Sequence, residues 1–89
     1  MGATVSPPSE DDKRRLFLVT ADDTPDALMR VLGVAAVQQT RLRALTAGPD
    51  GAAMSIRLEI DDQGEDRAQA LAARLAACTV VHAVGFGWR

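Results

Sequence analysis

"TRLRALTAGPDGAAMSIRLEI", residues 40–60, decides how the rest of the chain is read. In residues 53–60, Met54, Ile56, Leu58 and Ile60 fall on one side, with Ser55, Arg57 and Glu59 on the other. That is the period-two pattern of a half-buried antiparallel strand. Residues 40–47 begin with a similar alternation, Arg41 and Arg43 against Leu42 and Ala44. Gly48-Pro49-Asp50-Gly51 between the two segments has the residue chemistry of a hairpin turn.

Outward from this hairpin the pattern repeats on both sides. Residues 14–21 (RRLFLVTA) form a short, continuously apolar run suited to a central strand. Thr24-Pro25-Asp26 then supplies a capping hydroxyl, a proline at the first helical position and an acid for the first-turn dipole. The helix they open runs to about Gln38, with Leu28, Val31, Leu32 and Ala35 recurring at helical spacing. Gly33 inside it weakens the helix by roughly 1 kcal/mol relative to Ala, which suggests close packing against a strand. Past the hairpin, Asp62 and Glu65 have the spacing of a capping box, followed by a stripe of Ala68, Leu71, Ala72 and Leu75. Residues 79–88 read as a last strand, whose two glycines suggest a bulge near its end.

Strand, helix, strand, strand, helix, strand implies the α+β ferredoxin-like βαββαβ arrangement: a four-stranded antiparallel sheet with two helices on one face. Residues 13–89 form this single domain. Residues 1–12 (MGATVSPPSEDD) are small, proline-rich and acidic without an apolar period, and read as a flexible tail. Alternation along the strands also points to a face carrying Phe17, Val19, Leu45 and Val81 that the helices leave open for an interface.

Bulk properties narrow the function classes. An 89-residue chain has a modest core, here with only two Phe and one Trp, so self-association as a homodimer is expected. A net charge of −2, part of it in the tail, carries no nucleic-acid footprint. One cysteine, no secretory leader pattern and no apolar run of membrane-spanning length point to a cytoplasmic protein without a membrane anchor. The loop after the first strand, ADDTPDA, lacks the Cys-x-x-Cys of a metal carrier and the arginine a phosphate-cradling enzyme of this topology needs. Of the stacking aromatics an RNA-recognition domain needs on its central strands, the third strand carries none and the first only Phe17. Asp22, Asp23, Asp26, Asp61 and Asp62 match no calcium loop. Lone His82 and Cys78 read as packed or surface residues. No catalytic residue, metal site or cofactor is expected.

Residues 14–48 resemble the ACT domain, in particular the small regulatory subunit of acetohydroxyacid (acetolactate) synthase. The likeness is carried by Arg14, Arg15, Ala27, Leu28, Arg30, Val31, Gly33, Leu42, Leu45 and Thr46, and extends in pattern over nearly all of residues 14–86. It implies a non-catalytic regulatory or accessory subunit of a thiamine-diphosphate-dependent catalytic subunit, in branched-chain amino acid biosynthesis. It also implies a dimer, joined edge to edge, that holds a small amino acid between protomers. The effector-binding positions would be Asp23, Thr24, Pro25, Asp26, Ala27 and Leu28, at the loop after the first strand, with Arg41 and Leu42 at the start of the second. Where the family has glycine and asparagine, this chain has Asp26 and Asp23, then Gln39 and Arg41. The usual effector site is therefore altered. The Asp26 carboxylate is expected to fill the helix end that would receive a ligand's own carboxylate, with Arg41 reaching Asp23 or Asp26 of the other subunit. The alternative reading is a free-standing amino-acid-sensing dimer.

Overall fold

The computed structural model describes residues 13–88; the tail expected over residues 1–12 lies outside the described residues, as does Arg89. The elements are β1 (Arg14–Asp22), α1 (Pro25–Val37), β2 (Leu42–Asp50), β3 (Ala53–Asp61), α2 (Glu65–Ala76) and β4 (Val81–Trp88). One antiparallel sheet has the order β2-β3-β1-β4, with β1 and β3 central and β2 and β4 at the edges. This is the ferredoxin-like arrangement expected from the sequence.

Register fixes which side chains face the helices. Phe17 lies opposite Leu58 and Phe86, and Val19 opposite Ile56 and Val84. These residues share a face with Leu45, which is opposite Leu58 on the outer side. Against that face pack Ala27, Val31 and Ala35 of α1 and Ala68, Leu71 and Leu75 of α2. Phe17, Ile56, Leu58 and Leu75 are fully buried, each contributing about 1.5–3 kcal/mol through removal from water. The Phe17 and Phe86 rings stack with centroids 5.4 Å apart, a geometry that favours aromatic pairs beyond area alone.

Phe17, Val19, Leu45 and Val81 therefore do share a face, but it is the covered one. Phe17 and Val19 are core residues, and Leu45 and Val81 pack against the core. The uncovered face carries Leu16 and Leu18 instead, with Gly85 and Gly87 opposite them on β4. A run of four consecutive apolar residues on β1 hides its own parity, so the covered side cannot be read from that strand alone.

Three further local readings are corrected. The hairpin turns at Gly51-Ala52, with Gly51 at φ +63°, and Gly48, Pro49 and Asp50 belong to β2. Pro49 is tolerated because β2 is an edge strand. Helix α2 is capped by Gly64 at φ +101°, without a side-chain cap; Asp62 instead accepts hydrogen bonds from the Gly64 amide and from Arg15 Nε. Finally, β4 starts at Val81, two residues later than expected, and its register shift lies at its beginning. Thr20 faces Ala83 and Ala21 faces Val81, leaving His82 as the extra residue of a bulge. Gly85 and Gly87 pair regularly.

Candidate functional site

The loop between β1 and α1 is built by short-range chemistry. Thr24, in extended conformation, accepts a hydrogen bond from the Ala27 amide through Oγ1 at 3.1 Å, and Pro25 opens the helix. The Thr24 amide donates to the Asp22 carbonyl at 2.9 Å. Ala27 is fully buried and Leu28 packs against the core, so both anchor the loop from below. Residues 22–26 are all exposed, and the charge they present outward is that of Asp22, Asp23 and Asp26.

Asp26 does not fill the helix end. Its Oδ2 accepts from Arg30 Nε at 2.8 Å, one turn along the exposed side of α1. An (i, i+4) partner of opposite charge outcompetes the amides, one of which Thr24 already holds. The helix mouth thus has a hydroxyl cap and an acidic rim rather than a carboxylate plug.

A contact that the sequence did not suggest closes one side of this mouth. His82 Nε2 lies 2.7 Å from Asp22 Oδ1, with both side chains about half exposed. The bulge makes this possible, because the extra residue turns the imidazole out of the ladder and toward the loop. Sixty positions separate the two residues in the chain, so no local pattern announces the pair. The Asp22 amide also donates to the Val80 carbonyl at 2.9 Å, tying the loop to the start of β4 a second time.

Arg41 and Leu42 lie elsewhere. Leu42 faces Ile60, and Ile60 faces Arg15, so the start of β2 sits beside the start of β1. From Arg15 to Asp22 the sheet extends about 23 Å at ~3.3 Å per residue, which places Arg41 and Leu42 at the end opposite the β1–α1 loop. That far end is basic on its edge. Arg43 makes a two-point contact with Asp61, Nε to Oδ1 at 2.7 Å and one terminal nitrogen to Oδ2 at 2.9 Å. Arg41, 72% exposed, is 3.9 Å from the same carboxylate. The Arg43 hydrogen bond is the main reason the Asp61 carboxyl is held below its ordinary pKa. Within one protomer the expected effector residues form two groups, acidic and basic, at opposite ends of the sheet.

Among the described residues no cluster of His, Cys, Asp and Glu is arranged to hold a metal ion, and no helix is long and apolar enough to cross a membrane.

No protein-family model and no curated protein matches this chain. Solved structures do. The ACT domain from GTP pyrophosphokinase of Chlorobium tepidum superposes with a TM-score of 0.73 at 16% identity, covering 83% of this chain and 96% of that one. The fold is that of an ACT domain. The C-terminal domain of the MgtC protein from Mycobacterium tuberculosis gives a TM-score of 0.74 at 19% identity, over 93% of this chain and 94% of the other. A homoserine dehydrogenase from Thiobacillus denitrificans contains a similar unit, with a TM-score of 0.72 at 17% identity over 85% of this chain, which spans 17% of that enzyme's length. The de novo designed protein Ferredog-Diesel also superposes, with a TM-score of 0.59 at 7% identity over 98% of this chain and 95% of that one. The ACT-type architecture is thus established by shape, and function has to be argued from this chain's own surface.

Proposed function

We propose that this chain is a non-catalytic regulatory subunit of ACT type. It acts as a homodimer joined through the β2 edges and holds a small amino acid at each of two symmetry-related sites. The observation that carries the reading is the separation of the two residue groups. If β2 pairs with β2 of a second copy in antiparallel fashion, the beginning of one strand comes to the end of the other. Arg41 and Leu42 of one protomer then arrive beside the acidic end of its partner, where Asp50 closes β2 and Asp22, Asp23 and Asp26 border the loop. Opposite charges meet on both sides of the two-fold axis, which favours this orientation over the reverse.

Between the two groups the mouth would offer an amino-acid ligand complementary chemistry. The guanidinium of Arg41 suits its carboxylate, and the acidic loop suits its ammonium. With Asp26 turned to Arg30, the helix end is not blocked by its own side chain.

The catalytic partner we favour is a thiamine-diphosphate-dependent enzyme of the acetolactate synthase type, on the strength of the sequence resemblance over residues 14–48. The test is to mix the purified chain with that catalytic subunit and measure co-elution and turnover, with and without valine, leucine or isoleucine. Co-elution with valine-sensitive turnover supports the regulatory subunit. Thermal stabilisation by an amino acid without co-elution or any change in turnover supports the free-standing sensor.

A further inference from the structure

Gly33 sits in the third turn of α1, on the outer surface of the helical layer, and a Cβ built there meets nothing within 4 Å. Close packing against a strand, the reading the sequence suggested, is therefore not its role. A helix-interior glycine lowers helix stability by roughly 1 kcal/mol relative to Ala, and no neighbour in this fold asks for it.

What it does is lower the floor of a groove between α1 and α2. The groove has a volume of about 560 Å³, within the range of small-molecule sites, roughly 300–1,000 Å³. Val34, Val37 and Ala77 make its apolar lining with Gly33, and Val37 is 71% exposed. Its charged lining residues are both cationic, Arg30 from α1 and Arg74 from α2. Arg30 spends Nε on Asp26, and Arg74 has no ion-pair partner among the described residues. Cys78 completes the wall, its thiol donating to the Arg74 carbonyl at 3.6 Å.

We propose that this groove binds a small molecule with an apolar body and one anionic head, of the medium-chain carboxylate class. The apolar floor takes the chain, and the guanidinium of Arg74 takes the carboxylate, with Arg30 lining the same groove. A neutral or cationic ligand leaves Arg74 without a counter-charge, since only Arg30 of the two is already paired, with Asp26, and a folded partner helix would need an acidic side chain at the same place. The site is separate from the β1–α1 mouth and the β2 edge, so it stands or falls independently of the proposed dimer.

Cys78 provides the readout. Octanoate is titrated into the full chain while the rate of Cys78 alkylation by a neutral maleimide is followed, with 1-octanol as the uncharged probe of equal chain length. Octanoate is expected to slow alkylation saturably. Octanol and the Arg74→Glu variant should each require roughly tenfold more ligand, the loss expected for one charge-assisted contact, and Gly33→Leu should abolish the effect by filling the floor. Equal protection by octanol, unchanged protection in Arg74→Glu, or no protection at all overturns the proposal. So does protection that grows with protein concentration without octanoate, which would make a second copy the occupant.

Discussion

Arg15 and Trp88 form a closed joint at one end of the core: the guanidinium carbon lies 3.9 Å from the centroid of the Trp88 ring. The same guanidinium donates from Nε to Asp62 at 3.0 Å and from a terminal nitrogen to Glu65 at 2.8 Å. Arg15 is 5% exposed, the one charged residue among the buried ones described. It links β1, the last residue of β4 and the start of α2. Arg15→Ala removes both ion pairs and the support under the indole, and should lower unfolding free energy by about 3 kcal/mol in urea titration. Trp88→Ala should cost about 2 kcal/mol, and Arg15→Lys should fall between Arg15→Ala and wild type because an ammonium cannot serve both acids in a fork. A change under about 0.5 kcal/mol for Arg15→Ala would show that the joint is an ornament of the surface.

Acid sensitivity should follow from the same joint. The Asp62 carboxyl is held below its ordinary value of 3.8 first by the Gly64 amide and then by Arg15. Glu65 is held below 4.5 first by the Arg15 hydrogen bond and then by Gln69. Because both values are lower in the folded chain than in the unfolded one, their stabilisation is complete above the ordinary carboxylate range. It is lost as pH falls through the lowered folded values. The urea midpoint at about pH 3 should lie below that at about pH 6, and Arg15→Met should narrow the difference. An unchanged difference in Arg15→Met would remove Arg15 as its source.

Much of the fold was legible because single segments carried it. The alternation of Met54, Ile56, Leu58 and Ile60 and the Thr24-Pro25 helix start both depend on neighbours a few positions away, and both appear as read. Several of the misread features depend on partners far along the chain. Asp62 left the expected capping box for the Gly64 amide two positions on and for Arg15, 47 positions earlier. The parity of β1 was hidden by its uninterrupted apolar run. In the site, Thr24 was readable as a cap, whereas the turning of Asp26 to Arg30 involves two plausible partners for one carboxylate. The pairing of His82 with Asp22 needs a bulge that no residue type signals.

Gly33→Ala should stabilise the chain by roughly 1 kcal/mol, since the position is helical, exposed and has free space around it. Thr24→Ala should move stability the other way by about 1 kcal/mol, through loss of the Ala27 amide's partner. Urea titration of both reads the difference. Destabilisation by Gly33→Ala would indicate that another surface closes on this face in solution.

If charge aligns two β2 edges, dimer affinity should weaken with salt, because the facing groups are exposed. Arg41→Glu should weaken it further at low salt, and adding Asp50→Arg in the same chain should restore part of the loss. Sedimentation equilibrium measures each. An affinity indifferent to salt and to Arg41→Glu would assign dimerisation to another surface, the Leu16 and Leu18 face first.

The most direct measurement is an intermolecular distance. Chains labelled with a spin probe at position 23 are mixed with chains labelled at position 41, both in a Cys78→Ala background, and dipolar coupling between the two is read. Antiparallel β2 pairing requires a separation shorter than the roughly 23 Å that divides the two ends of the sheet within one chain. A monomer, or a dimer in which positions 23 and 41 of different chains lie farther apart than that, would contradict a site shared between protomers.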